Sequence, residues 1–199
     1  MKAVMISIQP KLVEKICHKI GEDETGKAIY EKRIEVRKSA PKEVPFKCYI
    51  YETKGQYVKF THGAHTKYGY GRGKVIGAFI CDRIEMVNAK CSNYGIDLFY
   101  HDCLTNGCLT EREIEKYFNV PEDRDLRAMK GNGYVWNISD LKIYDKPKEL
   151  SEFCIPCKVS CENCKNPLYF ECWCEEKGKK IVTRPPLSWC YVEDLGEEK

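Results

Sequence analysis

The chain has 199 residues, 43% hydrophobic and 32% charged, with a net charge of +3. Such a balance fits one soluble globular domain over residues 1–199 and excludes a disordered or fibrous chain. No apolar run reaches the length of a membrane span and no secretory leader opens the chain, so a cytoplasmic location without a membrane partner is expected. The net charge is too small to imply a polyanion partner, but its distribution is uneven. Between Lys11 and Lys74 stand fifteen Lys/Arg against eight Asp/Glu, a surplus of +7; from Val75 onward seventeen stand against twenty-two, giving −5. A basic half is the electrostatic footprint of phosphate or nucleic-acid contact, although a solvated basic face has the same composition.

Met1 to Ile8 reads as a short apolar strand. Pro10 then suits the first position of a helix, where its missing N–H costs nothing, and Leu12, Val13, Ile16, Cys17 and Ile20 fall on one helical face. Gly21 to Ala28 is polar and reads as an insertion. In the segment 32–38, Ile34 and Val36 alternate with Arg33, Glu35 and Arg37, the period of a half-buried strand. One face would carry a carboxylate between two guanidinium groups, with the Lys32 ammonium at the strand's entrance. Arginine offers a planar fork of donors and lysine can lose its proton when desolvated, so this set suits an anionic or amide-bearing ligand and proton transfer.

Phe46 to Tyr51 reads as another strand, and Gly73 to Cys81 as a long central one with a bulge or close approach at Gly77. The stretch from Gln56 to Gly73 reads as a flexible glycine-rich loop presenting His62, His65, Tyr68, Tyr70 and Arg72. Its glycine spacing is not that of a P-loop, but basic and aromatic groups on such a loop suit bases and phosphates. Thr110 with Glu113 forms a capping box, Leu109 and Ile114 suit a hydrophobic staple, and Pro121 suits the helix stop. Gly133 to Tyr144 contains a further strand, and Arg184 to Val192 reads as the closing one.

Thirteen cysteines are present. Without a secretory leader they are expected to be reduced, with Cys17, Cys48, Cys81 and Cys190 as small buried hydrophobes. A different pattern marks residues 154–180, a cysteine-rich insertion before the closing strand. There Cys154, Cys157, Cys161, Cys164, Cys172 and Cys174 place six thiols within twenty-one residues. Paired thiolates a few residues apart suit tetrahedral zinc, and the segment has too few aliphatic residues to build a core without a metal. The spacing predicts one structural Zn2+ held by four of the six, and leaves open which four.

A strand, a short helix and a Lys-x-x-Glu-x-Arg strand resemble the start of an ASCH domain, a member of the PUA-like β-barrel superfamily. Lys32, Glu35 and Arg37 match the family's Gly-x-Lys-x-x-Glu-x-Arg signature, with Tyr30 in place of the glycine. The segments from Gly133 and Arg184 are similar to those of small ASCH proteins of phages and prophages. The resemblance implies an α+β PUA-like barrel that binds RNA or a nucleotide or modified base. Lys32, Glu35, Arg37 and Arg72 would be the ligand-binding residues, and Tyr68, Tyr70 or Trp136 a stacking partner, although Trp136 suits the core better. It also implies an alternative, since certain ASCH proteins are amidohydrolases of N4-acetylcytidine and others ribonucleases. Lys32 and Glu35 would then be catalytic, but Glu35 stands where the hydrolases carry threonine, and Asp82 or Glu85 would supply the distant acid. A protein-interaction role for the cysteine-rich insertion is a further alternative.

Overall fold

The computed structural model describes residues 2–62, 65–120, 129, 131–156 and 180–196. The main layer is a mixed five-stranded sheet. It is built from β1 (Lys2–Ile8), β5 (Phe46–Glu52), β8 (Val75–Cys81), β11 (Ser139–Lys148) and β12 (Trp189–Glu193), in the order β11-β8-β5-β1-β12. Strands β1 and β5 run parallel, and the other neighbours are antiparallel. A parallel pair needs a long crossover, here α1 (Pro10–Cys17), β2 (Lys19–Glu22), β3 (Ala28–Tyr30) and β4 (Ile34–Arg37). Strand β4 joins β10 (Asn132–Asn137) and β9 (Ile84–Asn88) in a second, antiparallel sheet of order β4-β10-β9. The described strands thus form open sheets, with no closed barrel ladder among them.

Three layers result. One face of the main sheet, with Val4, Ile6, Ile8, Cys48 and Ile50, packs on Trp136 of β10 and on Val13 and Ile16 of α1. The Trp136 ring meets Phe46 edge-on at 5.4 Å and Trp189 at 5.9 Å. The small sheet's other face, with Ile34, Val36 and Val87, is covered by α2 (Asn93–Thr105) and α3 (Glu111–Phe118). The main sheet's far face, with Ala3, Met5, Tyr49 and Ala78, packs on Phe153 and Val182. Gly77 is a close-approach site as expected, since a Cβ there would lie 2.5 Å from the Lys142 carbonyl oxygen.

Several boundaries differ from the sequence reading. The first helix ends at Cys17, because the chain turns into the β2–β3 hairpin; Ile20 lies on β2 and is exposed, and Cys17 is exposed rather than buried. Residues 21–28 belong to that hairpin. The stretch read as a flexible loop is instead a hairpin of β6 (Gln56–His62) and β7 (His65–Tyr70). The strand expected from Gly133 is two strands in different sheets. They part at Ile138, and Asp140 beyond it takes φ +46°. Closing strand β12 starts only at Trp189. Helix α2 was not expected, although Ser92 accepts from the Gly95 N–H at its start and Ile96, Phe99 and Cys103 recur at helical spacing. The capping box of α3 is present, and the helix ends on Asn119 at φ +52°. Pro121 lies outside the described residues.

The base of the cysteine-rich segment is closed. Cys154 bridges Ile181, the Ile155 N–H donates to Lys180 O at 2.8 Å, and that of Val182 donates to Phe153 O at 2.8 Å. The segment therefore departs and returns at neighbouring points beside β12. Cys157, Cys161, Cys164, Cys172 and Cys174 lie outside the described residues. Among the described residues no cluster of His, Cys, Asp and Glu suits a metal.

Candidate functional site

Strand β4 is buried on both faces rather than one. Ile34 and Val36 face the helical layer, and the alternation turns Glu35 and Arg37 toward the main sheet. Lys32, Glu35 and Arg37 are 1%, 4% and 8% exposed. Arg33 lies before the strand, is exposed, and donates to the Asn106 side chain. The carboxylate is therefore flanked by Lys32 and Arg37 rather than by two guanidinium groups.

Arg37 Nη2 donates to the Ser7 carbonyl at 2.7 Å and lies 2.9 Å from Glu35 Oε1. Lys32 Nζ donates to the Gly107 carbonyl at 2.7 Å and stands 3.3 Å from Glu35 Oε2. That second separation is an ion-pair contact outside hydrogen-bond geometry, so Oε2 accepts no hydrogen bond. Arg37 Nε is likewise buried and donates to nothing. Buried polar groups are nearly always hydrogen-bonded, so two open valences on neighbouring side chains are unusual.

All three residues line one cleft of about 910 Å³. Its walls come from the ends of several elements: Ser7 near the end of β1, Gln9 between β1 and α1, Leu12 on α1, Lys38 after β4, Glu113 and Tyr117 on α3, and Pro185 to Leu187 before β12. Ser7 fixes this last wall, since its hydroxyl donates to Pro186 O at 2.6 Å and its N–H to Ser188 O at 3.0 Å. Leu187 protrudes completely, at 106% exposure. Opposite, Lys38 Nζ lies 5.0 Å from the centre of the Tyr117 ring. The cleft thus joins a charged floor to apolar and aromatic sides. A planar polar molecule suits that combination.

Glu113 both caps α3 and lines the cleft. Its carboxylate accepts from the Thr110 N–H at 2.8 Å and the Thr110 hydroxyl at 2.9 Å, and pairs with Lys11 at 3.5 Å. Burial pushes this carboxyl up, but the Thr110 bonds and Lys11 outweigh it and leave the pKa lowered. The capping pattern was visible in the sequence; its place at the cleft was not. Nothing in the sequence singled out Ser7, Lys38 or Pro185 to Leu187.

Other candidates are not brought to the cleft. Arg72 is exposed and pairs with Glu52, its Nε 3.6 Å from Oε2. Asp82 accepts from Asn137 at 2.8 Å and Glu85 pairs with Arg83 at 3.2 Å; neither lines the cleft. Tyr68 and Tyr70 stand exposed on the β6–β7 hairpin, and Trp136 is core. Burial raises the Cys81 and Cys103 thiols to about 12, as suits inert structural cysteines.

No family model and no curated protein matches the chain. Solved structures do. ASCH from Zymomonas mobilis matches at 15% identity over 96% of this chain and 87% of its own, with a TM-score of 0.49. A single-substitution variant of the same protein matches at 15% identity over 97% of this chain and 91% of its own, with a TM-score of 0.50. The latter likeness shows the fold: this chain has the architecture of an ASCH protein.

Proposed function

We propose that this ASCH-fold chain is a binding module that takes a base of RNA, or a nucleoside or nucleotide, into the cleft of Lys32, Glu35 and Arg37. One observation carries the reading: buried Glu35 Oε2 and Arg37 Nε keep open bonding capacity beside a cleft. A ligand edge presenting an N–H next to a lone pair satisfies both atoms, as the edges of amino-bearing bases do. A bare phosphate would satisfy the guanidinium but be repelled by the carboxylate. Arg37 orients the ligand, Glu35 accepts its N–H, and Tyr117 and Leu187 flank its plane.

The amidohydrolase reading needs Lys32 as a proton-transfer group. Its Nζ is already engaged by Gly107 O and Glu35, which favours a structural role. The test is binding of nucleosides and short single-stranded RNA, with turnover of N4-acetylcytidine and RNA cleavage followed in parallel. Binding that is lost in Arg37→Gln, without turnover, is expected. Hydrolysis abolished by Lys32→Ala and Glu35→Gln in folded protein would overturn the module in favour of the enzyme.

A further inference from the structure

The Arg37 cleft carries more positive charge than its floor uses. Of its lining residues, Lys32, Arg37, Lys38 and Lys116 stand against Glu35 and Glu113, four cations against two carboxylates. Both carboxylates are already engaged. Glu35 is held between Lys32 and Arg37, while Glu113 pairs with Lys11 and accepts twice from Thr110. Lys38 and Lys116 are exposed, and neither has an acidic partner among the described residues.

These two ammonium groups belong to the same rim. Lys116 is three residues from Glu113 on α3, so both lie on the helix face that borders the cleft. Lys38 comes from the end of β4, and its Nζ lies 5.0 Å from the centre of the ring of Tyr117, the residue after Lys116. Tyr117 joins this rim to the floor. Burial raises its phenol, and the charges of Arg37 and Glu35 both reach it, the first lowering and the second raising it.

Floor and rim therefore make separate demands. The floor suits an N–H beside a lone pair, and Glu35 there repels an anion. The rim instead offers two lysines as point charges, which suit a phosphate. At about 910 Å³ the cleft is near the upper end of the ~300–1,000 Å³ found for small-molecule sites, with room for a sugar and a phosphate besides a base. We infer that the cleft takes a phosphorylated nucleoside, its base on Glu35 and Arg37 and its phosphate on Lys38 and Lys116. The inference rests on the cleft reading and adds a phosphate seat to it. A free mononucleotide and the phosphodiester of an RNA strand present the same chemistry to that seat.

Titration calorimetry at low salt tests this, with adenosine and cytidine, their 5′- and 3′-monophosphates, the dinucleotides ApA and CpC, and inorganic phosphate. A monophosphate or dinucleotide is expected to bind roughly tenfold more tightly than its nucleoside, the size of one charge-assisted hydrogen bond. The preference should shrink as salt is raised, because the rim is exposed. Lys38→Gln combined with Lys116→Gln, at two exposed positions, should bring the ratio to about one. Tighter binding of the dinucleotide supports the seat with an RNA strand as its source, and tighter binding of the monophosphate supports it with a free nucleotide. Equal affinity for nucleoside and phosphorylated forms in wild type, or a ratio that survives in the double variant, would overturn the seat and leave the cleft reading intact. Inorganic phosphate as tight as the monophosphate, or no binding of any of these probes, would sink the cleft reading and the seat with it.

Discussion

Arg37 Nη2 stands 2.9 Å from Glu35 Oε1, so two neighbours on one face of β4 form an ion pair that is all but closed to water. A buried pair gains little over an apolar replacement of the same shape, yet losing one partner strands the other charge. Glu35→Ala should therefore destabilise the protein by about 3–5 kcal/mol, measured by urea unfolding. A loss below ~1 kcal/mol, the range of exposed pairs, would show that solvent reaches the site.

Gly77 tests the packing of β8 on β11. The added methyl of Gly77→Ala meets the Lys142 carbonyl oxygen, a backbone atom that cannot swing away. Overpacking of this kind costs about 1–3 kcal/mol, and a thermal midpoint equal to that of wild type would contradict the contact.

Thr110 holds both the start of α3 and the position of Glu113 at the cleft. Thr110→Ala should cost about 1 kcal/mol of stability. It should also weaken ligand binding, because Glu113 is then free to turn. Unchanged affinity would assign the capping box to the scaffold alone.

Acid should act early on the α1–β3 junction. A hydrogen bond from Lys15 holds the Glu31 carboxyl below its ordinary 4.5, against the opposing effect of burial and with help from His18. A depressed carboxyl contributes stability that is present above its unfolded value and lost as pH falls through the folded one. Stability should therefore decline below about pH 4.5, and less so in Glu31→Gln, as followed by denaturant midpoints across the acid range. Parallel declines in the two proteins would remove Glu31 from the account.

Purified protein is expected to carry about one zinc ion per chain on thiolates of the segment from Cys154 to Cys174. Metal analysis after dialysis against a weak chelator, with Cys161→Ser and Cys172→Ser alongside, decides it. A metal-free chain whose insertion resists proteolysis as well as the loaded one would end the expectation.

Alternation marked β4 as a strand, largely apolar stretches marked β1, β5 and β8, and the Thr110–Glu113 spacing marked α3, because these signals are local. That Glu35 and Arg37 share a face was also legible, since residues two apart on an extended strand do; Lys32, outside β4, joins them only through the tertiary structure. Helix α2 escaped notice because its apolar stripe of Ile96, Phe99 and Cys103 is thin and its other residues are mixed.

Tertiary structure alone decided that β4 is buried on both faces. Its period of two is the same whether the polar side meets water or another sheet, and only the layer order places Glu35 and Arg37 against β1. It also decided that Arg72 belongs to Glu52, while Ser7, Tyr117 and Leu187, remote from one another in the chain, meet at one cleft. Pairings across more than a hundred residues depend on which strands hydrogen-bond, and no local pattern in the chain encodes that choice.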